Sequence, residues 1–162
     1  MVKRFPSGTY GRQRLQFFPA PFRAPLRAFA VLVFPWMDEK VLLCNIEDRG
    51  WCVPSGRVDP GESSMEAGRR EAEEEAGAQL DCMLYLGCYR IVDRMDVRWA
   101  DCFTAAVTEL GPITMKEESS GTYLARFEEL PEMYHLWNPL TERVFEHARE
   151  VISRFQLQRD YL

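Results

Sequence analysis

Histidine is scarce: His135 and His147 are the only two in 162 residues. The five cysteines include no C-x-x-C pair, and neither histidine lies near one in sequence. This speaks against a zinc cage, and the odd cysteine count speaks against a disulfide framework and for a reducing compartment. Long apolar runs are missing as well. The richest, "AFAVLVFPW", is too short to cross a bilayer and begins too late for a secretory signal, so no membrane association is expected and the cytoplasm is the default location. Acid is absent before Asp38, while Lys3, Arg4, Arg12, Arg14, Arg23 and Arg27 are all basic. The whole chain nevertheless carries a formal charge of −5, which gives no general affinity for nucleic acid. No repeat or low-complexity tract interrupts it. What is present, 46% hydrophobic and 12% aromatic residues, suits one folded domain burying about two-thirds of its unfolded surface.

Residues 1–27 combine the basic cluster with Pro6, Pro19, Pro21 and Pro25 and read as an irregular arm packed on the domain or a partner. Residues 28–162 read as the domain itself. "AFAVLVF" and "KVLLCNI" are β-rich runs separated by "PWMDEK", a hairpin signal. In "RGWCVPSGRVDPGES" the order Pro60-Gly61 suits a type II turn. "SSME" offers Ser63 and Glu66 as a capping box, and Gly77 a C-terminal stop, so a helix is expected between them. Its core face is predicted to be Met65, Gly68, Ala72 and Ala76. Two long β segments follow, "QLDCMLYLGCYRIV" and "VRWADCFTAAVT", joined by "DRMD"; "GTYLARF" is a further strand. The tail "LTERVFEHAREVISRF" is an amphipathic helix with Val144, Phe145, Ala148, Val151, Ile152 and Phe155 on one face. This order of elements predicts an α+β domain, an α/β/α arrangement with a mixed sheet.

The stretch "RREAEEEAG" then poses a physical problem. Glu71, Glu74 and Glu75 fall on one helix face, and like charges at these spacings cost roughly 0.2–0.5 kcal/mol each. They also sit towards the negative end of the helix dipole, where cations are preferred. With its upstream loop the run reads "GRVDPGESSMEAGRREAEEEAGA", Gly56 to Ala78. This resembles the signature of the Nudix hydrolases, G-x5-E-x7-R-E-U-x-E-E-x-G-U with U aliphatic. Gly56, Glu62, Arg70, Glu71, Glu74, Glu75 and Gly77 fill all its fixed positions, a coincidence on the order of one in a billion per start position by average residue usage. The resemblance extends from Ala28 to Met133 through "WCVPSG" and "YLARFEELPEM". Ser55 departs from the usual Gly, and Ala72 and Ala78 are the smallest aliphatics.

The resemblance implies a Nudix-like sandwich with a central mixed sheet and hydrolysis of a pyrophosphate linkage in a nucleoside di- or triphosphate derivative, releasing a nucleoside monophosphate or similar product. It implies Mg²⁺, with Mn²⁺ as a substitute, held by Glu71, Glu74, Glu75 and the backbone carbonyl of Gly56. A hard cation would offset substrate charge and activate water, and it would relieve the glutamates' repulsion. Arg70 would orient the glutamates. Glu62 is left between a second metal and loop support. The general base is left between Glu71 and a downstream loop carboxylate, Glu117 or Glu118. Arg98, Trp99 and Trp137 are candidates to grip phosphate or stack on a base. Tyr85 and Tyr89 are assigned to core packing. Two alternatives stand beside the small nucleotide substrate: removal of pyrophosphate from RNA 5′ ends, with Arg4, Phe5, Arg12, Arg14, Phe17 and Phe18 as contacts, and a non-hydrolysing nucleotide sensor. A homodimer is what the resemblance favours.

Overall fold

The computed structural model describes residues 4–160, so Lys3 of the basic cluster lies outside the described residues. Turn chemistry sets the first pairing. Strands β3 (Ala30–Met37) and β4 (Lys40–Ile46) join through Asp38 and Glu39, whose φ values are 50° and 65°. Two positive φ angles in succession give the type I′ twist that suits a two-residue hairpin. A second hairpin joins β7 (Ala78–Asp93) to β8 (Asp96–Leu110), closing at the Asp93–Asp96 pair. β8 then runs parallel to β3, with Ala30 opposite Ala100 and Trp36 opposite Ala106.

The remaining strands are β1 (Gly8–Tyr10), β2 (Gln13–Pro19), β5 (Gly50–Cys52), β6 (Ser55–Arg57) and β9 (Ser119–Ala125). The sheet runs β1-β2-β7-β8-β3-β4-β5, with β6 on β3 and β9 on β4. Since only β3–β8 is parallel among these pairings, the sheet is mixed, as expected.

The two faces are read directly from the period-2 alternation of β3 and β8. Val31, Val33, Phe103 and Ala105 pack under helix α1 (Ser64–Ala76), in one cluster with its Ala67. Phe34, Trp36, Ala100 and Cys102 point the other way, into a larger cluster with Leu140, Val144, Phe145, Ala148 and Ile152 of α3 (Pro139–Asp160). A short α2 (Leu130–Met133) leads towards α3, and its Leu130 is fully buried in the same cluster. The α3 contact is pinned by one polar group: Trp36 Nε1 donates to Thr104 Oγ1 at 3.0 Å, and that hydroxyl donates to Ala148 O at 3.1 Å. The layers are therefore α/β/α.

Two expectations are corrected. The N-terminal segment is not irregular: residues 8–19 form a hairpin whose second strand, β2, pairs with β7 from Arg14–Val92 to Pro19–Gly87. Leu15 and Phe17 are buried while Arg14 and Gln16 face solvent, a short alternation obscured by the flanking prolines and charge. On α1, Met65 is 41% exposed and Ala67 is buried in its stead. The buried stripe runs Ala67, Gly68, Glu71, Ala72, Glu75, Ala76. Gly68 is needed there because a Cβ would come within 2.9 Å of Val33 Cγ2. That close approach pulls the helix onto the sheet and rotates two glutamates into the protein.

Candidate active site

The glutamate helix is held at both ends by its own sequence. Ser63 Oγ accepts from Glu66 N, and the Glu66 carboxylate accepts from Ser63 N, the capping box expected of "SSME". Gly77 closes the helix at φ 65°, a left-handed conformation that glycine adopts without strain. Upstream, Glu62 N donates to Asp59 O at 3.0 Å and Gly61 has φ 82°, as the type II turn requires. Arg27 Nη2 clamps that turn by donating to Asp59 O and Glu62 O, at 2.7 and 2.9 Å.

Arg70 organises the carboxylates. Its guanidinium donates to both oxygens of Glu62 at 2.9 and 3.0 Å, to Glu71 Oε1 at 2.8 Å, to Glu74 Oε2 at 3.2 Å and to Arg57 O at 3.0 Å. The fork to Glu62 is the bidentate geometry only arginine provides. Arg70 and the Asp59 N–H hold the Glu62 carboxyl down at about 2. These contacts tie Glu62 to Arg70 and to the loop.

Glu71 and Glu75 are 8% and 4% exposed. Glu71 lies flat over Gly56: any Cβ there would fall 2.2 Å from Glu71 Oε1, so the fixed glycine makes room for a carboxylate. Glu75 Oε1 accepts from Ser55 N at 2.9 Å. Burial pushes the Glu75 carboxyl up to about 8, with the nearby Glu71 charge adding to it and the Ser55 hydrogen bond opposing. Burial also raises Glu71; the Arg70 pair opposes this without offsetting it, and the charges of Glu74 and Glu118 add to it.

The last turn of α1 contains no basic residue. Its free carbonyls are taken by the segment after β8: Met115 N donates to Glu74 O at 3.0 Å, Ser119 Oγ to Glu75 O at 2.7 Å and Gly111 N to Gly77 O at 2.7 Å. That segment carries Glu117 and Glu118, both exposed, beside the metal-binding candidates.

Among the described residues, no three Asp, Glu, His or Cys side chains converge into a ready-made cation cage. Arg70 engages Glu71 and Glu74, and Ser55 holds Glu75. The donor set nonetheless fits a hard divalent cation: two buried carboxylates resist ionisation, a third stands beside them, and all three offer oxygen.

A cavity of about 360 Å³ lies beside this carboxylate face, reaching the residues the glutamates pack on. Gly56, Arg57 and Ser55 form its edge towards the glutamates; Tyr10, Gln13, Leu15, Phe29, Leu32, Tyr89, Tyr134 and His135 line its body. Arg49 stands at the junction, donating to Ser55 Oγ at 3.0 Å. Burial lowers His135 to about 4, so it is neutral near pH 7.

The substrate-binding candidates lie elsewhere. Trp99 is buried against Phe18 and Phe22, and the half-buried Trp137 packs against Phe127, Tyr134 and Phe145. Arg98 is exposed, its guanidinium over Phe29. None of the three lines the cavity. The arm is similarly committed: Arg12 pairs with Asp93 at 2.8 Å, Phe17 packs on Phe5, Tyr89 and His147, and Phe18 stacks on Phe22. Tyr10, Gln13 and Leu15 instead supply cavity wall, and only the alternation of β2 could have pointed to Gln13 and Leu15. Arg49 and Ser119 left no signal in the sequence.

A mixed α/β/α sandwich with a glycine loop feeding a glutamate helix defines a hydrolase of phosphoric anhydrides. The particular family follows from comparison: the chain belongs to the Nudix family, the NUDIX domain model matching residues 26–152. It is a Nudix-type pyrophosphohydrolase, so the reading as a non-hydrolysing sensor gives way; hydrolases of this family generally use divalent metal ions. YtkD of Bacillus subtilis (strain 168), provisionally named an 8-oxo-dGTP diphosphatase, is 34% identical over 120 residues, 74% of this chain and 73% of that one. The crystal structure of a mutant of the Bacillus subtilis pyrophosphohydrolase BsRppH is similar with a TM-score of 0.75 and 26% identity, covering 93% of this chain and 98% of that one. A Nudix hydrolase from Nitrosomonas europaea shares the fold at TM-score 0.61 and 22% identity, over 75% and 88% of the two chains. Among the described residues no helix is long and apolar enough to cross a membrane.

Proposed function

We propose that the chain hydrolyses a nucleoside triphosphate or a related nucleoside diphosphate derivative to the monophosphate, with Mg²⁺ as its metal and Mn²⁺ as a substitute. The carrying observation is the junction of an apolar cavity with a face of buried carboxylates at Gly56. A cavity of about 360 Å³ is at the small end of the roughly 300–1,000 Å³ range for small-molecule sites, and its aromatic walls suit a base. The name of the YtkD relative supports a nucleoside triphosphate.

Glu71, Glu74, Glu75 and the carbonyl of Gly56 hold the metal in this reading. When bound, the cation offsets the charge of the phosphate oxygens and lowers the pKa of a water. The rest is done by the chain. Arg70 orients Glu71 and Glu74, and Ser55 N–H orients Glu75. Arg49 and Arg57 bring positive charge to the cavity edge, where the phosphates pass. Glu118, brought in by the segment tied to the α1 carbonyls, accepts the proton of the attacking water, with Glu71 as the alternative base. A homodimer and a cytoplasmic location belong to the same reading; the five free thiols support the latter.

Mass spectrometry of products tests it, using a panel of nucleoside triphosphates (8-oxo-dGTP included), nucleoside diphosphate derivatives and a 5′-triphosphorylated RNA in Mg²⁺. Monophosphate formation from one nucleotide class, lost in Glu74→Gln and Glu75→Gln, is the expected result. Turnover of the RNA alone would replace the small nucleotide by an RNA end. Glu118→Gln, set beside Glu71→Gln, identifies the base by which variant loses the acidic limb of the pH–rate profile. Light scattering on the same preparation reads the oligomeric state.

A further inference from the structure

Cys44 and Cys52 play no part in the chemistry above, yet their placement is specific. They are 0% and 2% exposed and directly opposite across the antiparallel β4–β5 pair. Each thiol points at the other's strand: Cys44 Sγ lies 3.4 Å from Cys52 O, and Cys52 Sγ lies 3.8 Å from Cys44 O. Cys52 is among the residues lining the cavity, so a small solute there comes next to this strand position. Arg49 Nη1 is 3.9 Å from Cys52 Sγ and also donates to Ser55 Oγ, while Ser55 N–H holds Glu75. A continuous line of contacts thus joins the sulfur pair to the carboxylate face.

We propose that Cys44 and Cys52 are an oxidative modification site, forming a disulfide in response to a peroxide that enters the cavity and thereby switching off the carboxylate site they adjoin. The regulatory half rests on the hydrolase reading above. The electronic arrangement suits the order of events. Cys52 is the sulfur favoured as thiolate, because the Cys44 thiol hydrogen-bonds to it and Arg49 stands beside it. Cys44 is held as a thiol by that hydrogen bond and by burial.

The thiolate of Cys52 attacks one peroxide oxygen, the O–O bond breaks, and the displaced hydroxide takes a proton to leave as water. Cys52 is then a sulfenic acid. The Cys44 sulfur attacks it, an S–S bond forms, and hydroxide leaves with the Cys44 proton as the second water. Two thiols lose two electrons in all, and one peroxide becomes two waters.

Directly opposed residues have Cβ atoms about 4.5–5.5 Å apart, and a disulfide needs about 3.5–4.5 Å. Closing the pair therefore draws β5 about 1 Å towards β4. Val53, Pro54 and Ser55 follow β5 in the chain, and Arg49 loses its contact with the free Cys52 sulfur. Glu75 loses its register with Ser55, and a misplacement of about 1 Å can cost up to ~10²-fold in rate.

The test treats reduced, desalted enzyme with stoichiometric hydrogen peroxide and digests it with trypsin without reductant. The expected product joins the Val41–Arg49 and Gly50–Arg57 peptides with the loss of two hydrogens. Turnover falls at least about tenfold and returns with dithiothreitol. Cys44→Ala keeps basal turnover but loses the thiol-reversible inactivation, while Cys82→Ser, removing the one partly exposed thiol, behaves as wild type. The Mg²⁺-induced shift in Tm, expected to shrink on oxidation, is read on the same samples. That shift tests the switch even if no substrate on the panel is turned over, an outcome that would count against the proposed function alone. Cys44 and Cys52 staying reduced while Cys82 is oxidised overturns the proposal. So does a formed Cys44–Cys52 bond with Mg²⁺ shift and turnover unchanged.

Discussion

Replacing Glu75 by Gln should stabilise the metal-free protein at alkaline pH while abolishing its activity. The Glu75 carboxyl titrates at about 8 in the folded chain against an ordinary 4.5, mainly because it is buried. Between those values the folded state carries a proton that the unfolded state has released, so metal-free stability falls as pH rises through that window. The full displacement corresponds to about 5 kcal/mol, a ceiling that water penetration and relaxation reduce. Glutamine leaves the side-chain shape and the acceptor for Ser55 N–H in place and has nothing to ionise. Urea unfolding of both proteins in EDTA at pH 5 and pH 8.5 measures the difference. At pH 5 the two should lie within about 1 kcal/mol; at pH 8.5 the variant should be ahead by about 2–5 kcal/mol, which for a chain of this length is roughly 4–20 °C in Tm. Adding Mg²⁺ at pH 8.5 should raise wild type and leave the variant unmoved. An equal stability gap at both pH values would refute the assignment of Glu75 as a buried, reluctantly ionised carboxylate.

Gly56→Ala forces a Cβ to 2.2 Å from Glu71 Oε1; a loss of about 1–3 kcal/mol by thermal unfolding and a fall of about 10²-fold or more in kcat are expected, the helix content by circular dichroism staying the same. Arg70→Lys keeps the charge but not the fork to Glu62, Glu71 and Glu74; a cost of about 1–3 kcal/mol and weaker Mg²⁺ activation are expected from titrations of activity against metal. Deleting residues up to Pro19 removes the buried Leu15 and Phe17, each worth about 1.5–3 kcal/mol, so unfolding at lower urea is expected; an arm that merely lay on the surface would come away without change.

Much of this molecule could be read before its structure. The carboxylate site is written in one continuous run, and its capping box, its two glycines and its type II turn are local chemistry, determined by residues a few positions apart. The Asp38–Glu39 hairpin and the apolar stripe of α3 are legible for the same reason. Long-range consequences were not. Whether Met65 or Ala67 faces the sheet depends on how closely Gly68 lets the helix approach Val33, a tertiary fact. The β1–β2 hairpin is recognised only once β7 is there to pair with it, because prolines and arginines dominate its composition. Trp99 and Trp137 illustrate the converse: a tryptophan suits a base-stacking role and a core role equally in sequence, and here aromatic packing took both. Arg49 reaches the site because a tight turn from Ile46 to Arg49 aims it there.

The cavity walls extend from Tyr10 in the first hairpin to Phe145 in the final helix. A molecule lodged there touches the first hairpin and the final helix at once, so it acts as a clasp between segments far apart in the sequence. Occupancy should therefore slow amide exchange in β1–β2 and in the first turns of α3 together, though no covalent bond links them. It also leaves each wall on a different strand or helix, so taste for a new substrate can be acquired one strand at a time while the glutamate run stays as it is.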